Sequence, residues 1–345
     1  MRLSGPARTP PAIAAVQLWL PPHRDSAATA LAAGRLDTET ADRLGYLELA
    51  ESRDRSAPEM AVLAATKALA DAGWSGDELD LVAHAHTYYQ GHDFWAPASY
   101  VAHQIGAAEA LAVGVQQMCN GGAAALEIAV SRMIADPAVN RCAVTTADRF
   151  AAPAFDRWRG DYDVAYGDGA TALLLDRSTG PYRLLSIASL GRADFEQMHR
   201  GTAGFTDAPM RTVPIDVRAA KRSFISSGAE EVFAVALRES VVRVVHQALA
   251  EAGLAAGDDR VRFLALPRLG TGTLDTFFAP ALDDLALPQL EVLDLGRSSG
   301  HLGAGDSAAN LAELHAGNRL GSGEVALLLS LGGGFTWSCI AVAAE

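Results

Sequence analysis

Apolar residues recur along this chain with two periods. Around Ala57 to Leu69, and again around Ala229 to Ala250, they fall three and four residues apart, which lines one face of a helix. Each stretch runs into a glycine, a polar turn and a short apolar run, from Asp71 to Ala83 in the first case and from Glu251 to Ala265 in the second. Both read as a helix end, a glycine cap and a strand. The apolar run Leu111 to Met118 reads as a buried strand, followed at once by Cys119-Asn120-Gly121-Gly122 and an alanine-rich helix. Farther on, Tyr166 to Leu175 and Leu331 to Ile340 are glycine turns that each feed an apolar strand. Two alternating β/α halves of one plan imply an α/β fold built by internal duplication. The expected halves are 1–187 and 229–345. Between them, 188–228 is polar and less periodic, carries Arg192, Arg200, Arg211, Arg218, Lys221 and Arg222, and reads as a connecting flap.

Composition narrows the class. The chain has 345 residues, 50% of them hydrophobic, enough for a substantial core. Three cysteines, Cys119, Cys142 and Cys339, are too few and too irregular for a disulfide scaffold or a zinc knuckle. A formal charge of -13 argues against a nucleic-acid surface, while a local basic patch could still meet an acidic carrier protein or a coenzyme phosphate. Met1 to Pro10 has no apolar core of signal-peptide length, and no stretch is long and apolar enough to span a bilayer. The expectation is a cytoplasmic protein without a membrane segment.

Cys119 carries the candidate chemistry. It sits between a strand and a helix start, where unpaired N–H groups and the helix dipole favour a nucleophilic thiolate. The two glycines after it allow a sharp bend and close backbone approach. His84 and His86 share a strand face, with His92 in the following loop, but no acidic or cysteine partner stands at a ligand spacing, so no metal site is expected. Gly167-Asp168-Gly169 lacks the context of a nucleotide-binding turn.

The nucleophile turn Met118-Cys119-Asn120-Gly121-Gly122, the block Tyr166-Gly167-Asp168-Gly169-Ala170 and the terminal Gly332-Gly333-Gly334-Phe335-Thr336-Trp337 together resemble the ketoacyl-ACP synthase III branch of the thiolase superfamily. That resemblance implies a thiolase-like five-layered αβαβα fold, an acyl-thioester intermediate on Cys119, a tunnel for a phosphopantetheine arm and a homodimer. It also implies an oxyanion hole from the N–H groups of Cys119 and Gly333. No permanently bound cofactor is implied; CoA or a phosphopantetheine thioester is the acyl donor, so the partners are acyl-CoA or an acyl carrier protein.

The departures from the family pattern redirect the chemistry. Decarboxylative condensation uses a His and an Asn to stabilise an enolate. The strand Phe263 to Gly270 contains no histidine, and the Asn position is His301, within Gly300-His301-Leu302-Gly303-Ala304-Gly305-Asp306. Cys119, His301 and Asp306 are the parts of an acyl-transfer triad, although Asp306 is also well placed as the N-cap of the next helix. The motif resembles an acyltransferase offshoot of the family found in antibiotic pathways. The expected activity moves an acyl group, malonyl-type among the options, to a hydroxyl acceptor such as a sugar of a secondary metabolite. A starter-unit condensing or priming enzyme and a non-catalytic acyl-binding subunit are the alternatives. Tyr88, Phe94 and Trp95, in an aromatic and polar loop, suit an amphipathic acceptor or a dimer contact. Arg149, Arg157 and Trp158 lie where the family contacts coenzyme or carrier.

Overall fold

The computed structural model describes residues 10–162, 164–202, 204–208 and 214–345. Of the positions read above, Met1 to Thr9 and Arg211 lie outside the described residues. The described strands are β1 (Ala12–Trp19), β2 (Arg24–Ser26), β3 (Glu48–Ala50), β4 (Leu81–Ala85), β5 (Leu111–Val115), β6 (Arg141–Asp148), β7 (Gly169–Asp176), β8 (Tyr182–Gly191), β9 (Val261–Ala265), β10 (Glu291–Leu293), β11 (Val325–Gly332) and β12 (Thr336–Ala344).

Ten of these strands form one hydrogen-bonded run in the order β10-β9-β11-β12-β8-β1-β7-β6-β4-β5. Its two halves have the same connectivity. β1 pairs antiparallel with β7 and β7 with β6, while β6 is parallel to β4 and β4 to β5. In the second half β8, β12, β11, β9 and β10 take those places with the same senses. The halves meet where Ala12 pairs with Arg183 and Ile13 with Tyr182. This repeated order is the duplication read from the sequence. The expected boundary after residue 187 falls inside β8, whose first residue, Tyr182, opens the second copy.

Five layers follow from what each face must bury. Helices Ala57–Ala72 and Pro97–Gln104 cover the outer face of the first half-sheet, and Glu230–Ala252 and Ala279–Leu285 that of the second. Between the half-sheets lie Gly121–Ala135 and Asp306–Ala316, whose Leu126, Val130, Leu311 and Leu314 share one core with Val144, Leu328 and Ile340. Helix Gly121–Ala135 is covered on both sides over its first two turns, which explains the alanine-rich sequence after Cys119, and its later Ile128, Ser131 and Arg132 reach the surface. Local signals set the outer helices. Ser56 and Glu59 form a capping box at the start of Ala57–Ala72, and Gly73 (φ 68°) and Gly253 (φ 72°) end the two long outer helices in the left-handed conformation.

The central layer is tight at Gly122, where a Cβ would stand 2.4 Å from the Ala304 carbonyl oxygen. Gly122→Ala should therefore cost about 1–3 kcal/mol of stability, as overpacking does. Urea unfolding checks this, and an unchanged midpoint would contradict the packing.

Candidate active site

The nucleophile turn gains its sharpness from Met118. Its φ of 48° is left-handed, a strained value for a side chain of this size. Gly121 and Gly122 do not make the bend, as the sequence had implied; they admit close packing, since a Cβ on Gly121 would come within 3.2 Å of Ala304 Cβ. Asn120 Nδ2 donates to Gln117 Oε1 (2.9 Å) and Ser338 Oγ (3.1 Å), tying the turn to β12.

His301 bridges the two halves chemically. Its Nε2 is 2.9 Å from Cys119 Sγ, and its Nδ1 is 2.6 Å from Asp306 Oδ2. A carboxylate accepts, so Nδ1 carries a proton and Nε2 faces the sulfur. Asp306 also accepts from the backbone N–H of Leu302 at Oδ1 (2.9 Å) and of Arg268 at Oδ2 (2.8 Å). Its backbone is helical (φ -53°, ψ -49°) and Gly305 holds the N-cap place, so Asp306 is not the cap that the sequence allowed. Both side chains are buried. Burial pushes the His301 imidazole down, but the Asp306 carboxylate and the Cys119 sulfur outweigh it and hold its pKa well above the usual histidine value. Burial likewise raises Asp306, while His301 and Arg268 bring its carboxyl below the usual range.

The supports of this relay were largely invisible in the sequence. Arg268, in the 263–270 segment that lacks the expected histidine, is fully buried; its side chain reaches Asn310 (2.9 Å), Ser299 (2.8 Å) and Glu313 (2.7 Å) while its N–H holds Asp306. His301 N–H donates to Ala165 O (2.9 Å) and Gly167 N–H to His301 O (2.9 Å), so the 165–167 segment clamps the His301 backbone. Only glycine fits there, because a Cβ on Gly167 would lie 1.8 Å from Ser299 O. Asp148, at the end of β6, accepts from Thr87 N (2.8 Å), Tyr88 N (2.7 Å) and Ala304 N (3.0 Å), and burial pushes its carboxyl up to about 7. An acidic residue ending an apolar strand was the one available signal for it.

Cys119, His301 and Gly333 line one cavity of about 290 Å³, walled largely by Phe224, Phe233, Phe277, Phe278 and Phe335. None of the six expected substrate contacts lines it. Trp158 is corrected to a core residue: it is buried and its indole N–H donates to Asp25 Oδ2 (2.8 Å). The Arg157 guanidinium is held by Asp168 (3.1 Å and 3.3 Å) and by the carbonyls of Ala50 and Tyr166, at the edge of a surface hollow. Arg149 lines surface hollows on that side of the molecule. Tyr88, Phe94 and Trp95 border another hollow; Tyr88 stacks on Phe150, Phe94 is fully exposed, and Trp95 meets His92 edge-on. His84 is buried with both ring nitrogens bonded, to Thr145 and Gln90. Among the described residues no His, Cys, Asp or Glu group could hold a metal ion, and no helix is long and apolar enough to cross a membrane.

Comparison with known proteins points the same way as this geometry. Residues 113–190 match the sequence model of 3-oxoacyl-[acyl-carrier-protein] synthase III, and residues 275–344 match that of its C-terminal part. The beta-ketoacyl-[acyl-carrier-protein] synthase III of Roseiflexus castenholzii is 29% identical over 280 residues, 81% of each chain. The solved structure of the acyltransferase ChlB3 is 31% identical, covers 97% of this chain and 98% of its own, and superposes with a TM-score of 0.87. The synthase III structure from Aquifex aeolicus, 20% identical, shares the fold with a TM-score of 0.76 over 96% of this chain and 99% of its own. With its duplicated five-layered architecture and a cysteine at the entry to a central helix, the chain belongs to the ketoacyl-ACP synthase III-like branch of the thiolase superfamily.

Proposed function

We propose that the protein is an acyltransferase that carries an acyl group from a CoA or carrier-protein thioester, through acyl-Cys119, to a hydroxyl acceptor such as a sugar of a secondary metabolite. The observation that carries this reading is the continuous relay from Cys119 Sγ through His301 to Asp306, at 2.9 Å and 2.6 Å. His301 occupies the position where a condensing enzyme needs a neutral amide, and its raised pKa suits a base that cycles through imidazolium.

In the proposed cycle the Cys119 thiolate attacks the donor carbonyl while the N–H groups of Cys119 and Gly333 hold the oxyanion. The donor C–S bond breaks, and imidazolium His301 gives its proton to the departing thiolate. Acylation removes the charge on Cys119 sulfur and with it one of the interactions that raises His301. The neutral imidazole then takes the acceptor's hydroxyl proton as its oxygen attacks the acyl carbon. The acyl–sulfur bond breaks, an ester leaves, and the thiolate–imidazolium pair is restored. Asp306 fixes the imidazole tautomer throughout.

As a family member the enzyme is expected to act in the cytoplasm as a homodimer. Support for the dimer comes from β5, an end strand of the ten-stranded run whose Leu111 is 55% exposed. The discriminating experiment is incubation with malonyl thioester. Any malonyl group loaded should stay whole by intact-protein mass, because neither enolate-stabilising group is present. Carbon dioxide release in step with a ketoacyl product would establish a condensing enzyme instead.

A further inference from the structure

One wall of the largely apolar cavity carries buried polar groups that the relay does not use, while Tyr162, Thr273 and the exposed Glu230 also border it. Asp161, His199 and Lys221 line the cavity together with Cys119, His301 and Gly333. The buried Asp161 carboxylate accepts three bonds: Oδ1 accepts from Lys221 Nζ (2.6 Å) and Tyr162 N (2.7 Å), and Oδ2 accepts from the Tyr166 hydroxyl (3.0 Å). Lys221 is thus neutralised but retains further N–H donors beyond the one given to Asp161. His199 packs against Phe335 and against Gly333, where a Cβ would stand 2.7 Å from its Nδ1. That Nδ1 is buried without a hydrogen-bond partner among the described residues. Burial and the Lys221 ammonium push the imidazole down to about 4, so it offers one donor and one acceptor at neutral pH.

Position assigns this wall to the acceptor. The Tyr166 ring stands edge-on to His301 at 5.3 Å and its hydroxyl ends on Asp161, so a single phenol spans the gap from the base to the Asp161–Lys221 pair. A hydroxyl deprotonated by His301 would place its molecule beside that pair, while the phenylalanine side suits a methylene-rich donor arm or acyl chain. With Asp161 and Lys221 cancelling, the wall favours a neutral oxygen over a carboxylate or an amine.

We infer that Asp161, His199 and Lys221 form an acceptor subsite that holds a second hydroxyl next to the one being acylated, so that the preferred acceptor is a neutral vicinal diol. This rests on the hydroxyl-transfer reading above. The first hydroxyl loses its proton to His301 as its oxygen bonds to the acyl carbon and the acyl–sulfur bond breaks. The second is bound and unchanged.

The test uses acyl-Cys119 enzyme, loaded from the thioester that shifts the largest fraction of the protein to the acylated mass. Its discharge is followed by intact-protein mass with cyclohexane-1,2-diol and with cyclohexanol at equal concentration. The diol should discharge the wild type about tenfold faster, the size of one charge-assisted hydrogen bond. That ratio should fall to about one in His199→Phe, which keeps a ring against Phe335, and in the double variant Asp161→Asn, Lys221→Met, which leaves no charge unpaired. Equal rates with the two alcohols in the wild type, a ratio that survives in both folded variants, or a greater loss of loading than of discharge would overturn the subsite. Discharge by neither alcohol would overturn hydroxyl transfer itself, and the subsite with it.

Discussion

In His301→Ala, acyl-Cys119 should become the species that accumulates, its discharge to the acceptor slowed about a hundred- to ten-thousand-fold, the usual worth of general-base help. Nε2, 2.9 Å from the sulfur, is the one imidazole atom positioned to take a proton beside the acyl carbon. Loading should persist at a reduced rate, because the start of helix Gly121–Ala135 still favours negative charge on Cys119. Asp306→Asn should cost less. An amide oxygen turned toward His301 and the Arg268 N–H preserves the tautomer, although the carboxylate charge that raises His301 is gone. The pH profile gives the sign. Transfer needs neutral His301, so its rate should fall as pH drops through the pKa of the acyl-enzyme. That acidic limb should lie below the His301 pKa of the free enzyme, where the sulfur still raises it, and lower again in Asp306→Asn. Wild-type discharge in His301→Ala, with the limb unmoved, would reduce His301 to a structural residue.

Cys119→Ala should abolish acyl loading altogether, with no mass increment from any acyl thioester. The same increment should appear undiminished in Cys142→Ala and Cys339→Ala. Cys142 and Cys339 are buried thiols that their surroundings push up to about 12, and neither lines the cavity. Only Cys119 combines a relay partner with access to that cavity. Loading that survived in Cys119→Ala would place the intermediate elsewhere.

Residues with a local physical signal were legible in advance. Cys119 announced itself by a strand, two glycines and a helix start; His301 by replacing an expected amide, and Asp306 by following it five residues later in the same glycine-rich turn. The duplication was legible because the glycine caps at Gly73 and Gly253 recur with the same flanking pattern. What escaped depends on contacts between distant segments. Arg268 looks like any surface arginine until Asn310, Ser299 and Glu313 close around it. Trp158 sits in a polar stretch that reads as exposed, yet Asp25, 133 positions away, takes it into the interior. The polar wall was missed for the same reason, because Asp161 meets Lys221 across 60 positions.

The shared strand order of the two halves has a bearing on how such chemistry arises. Helices Gly121–Ala135 and Asp306–Ala316 occupy the same place in each copy, after the third strand and before the fourth, and their starts meet where Gly122 touches Ala304. One copy therefore brings Cys119 and the other brings His301 to the same point. An ancestor with two equal copies would have offered two equivalent half-sites; joining them in one polypeptide freed each to specialise. On the acyl-transfer reading proposed above, editing the copy that carries His301 changes the chemistry while the copy that carries Cys119 keeps its sulfur in place.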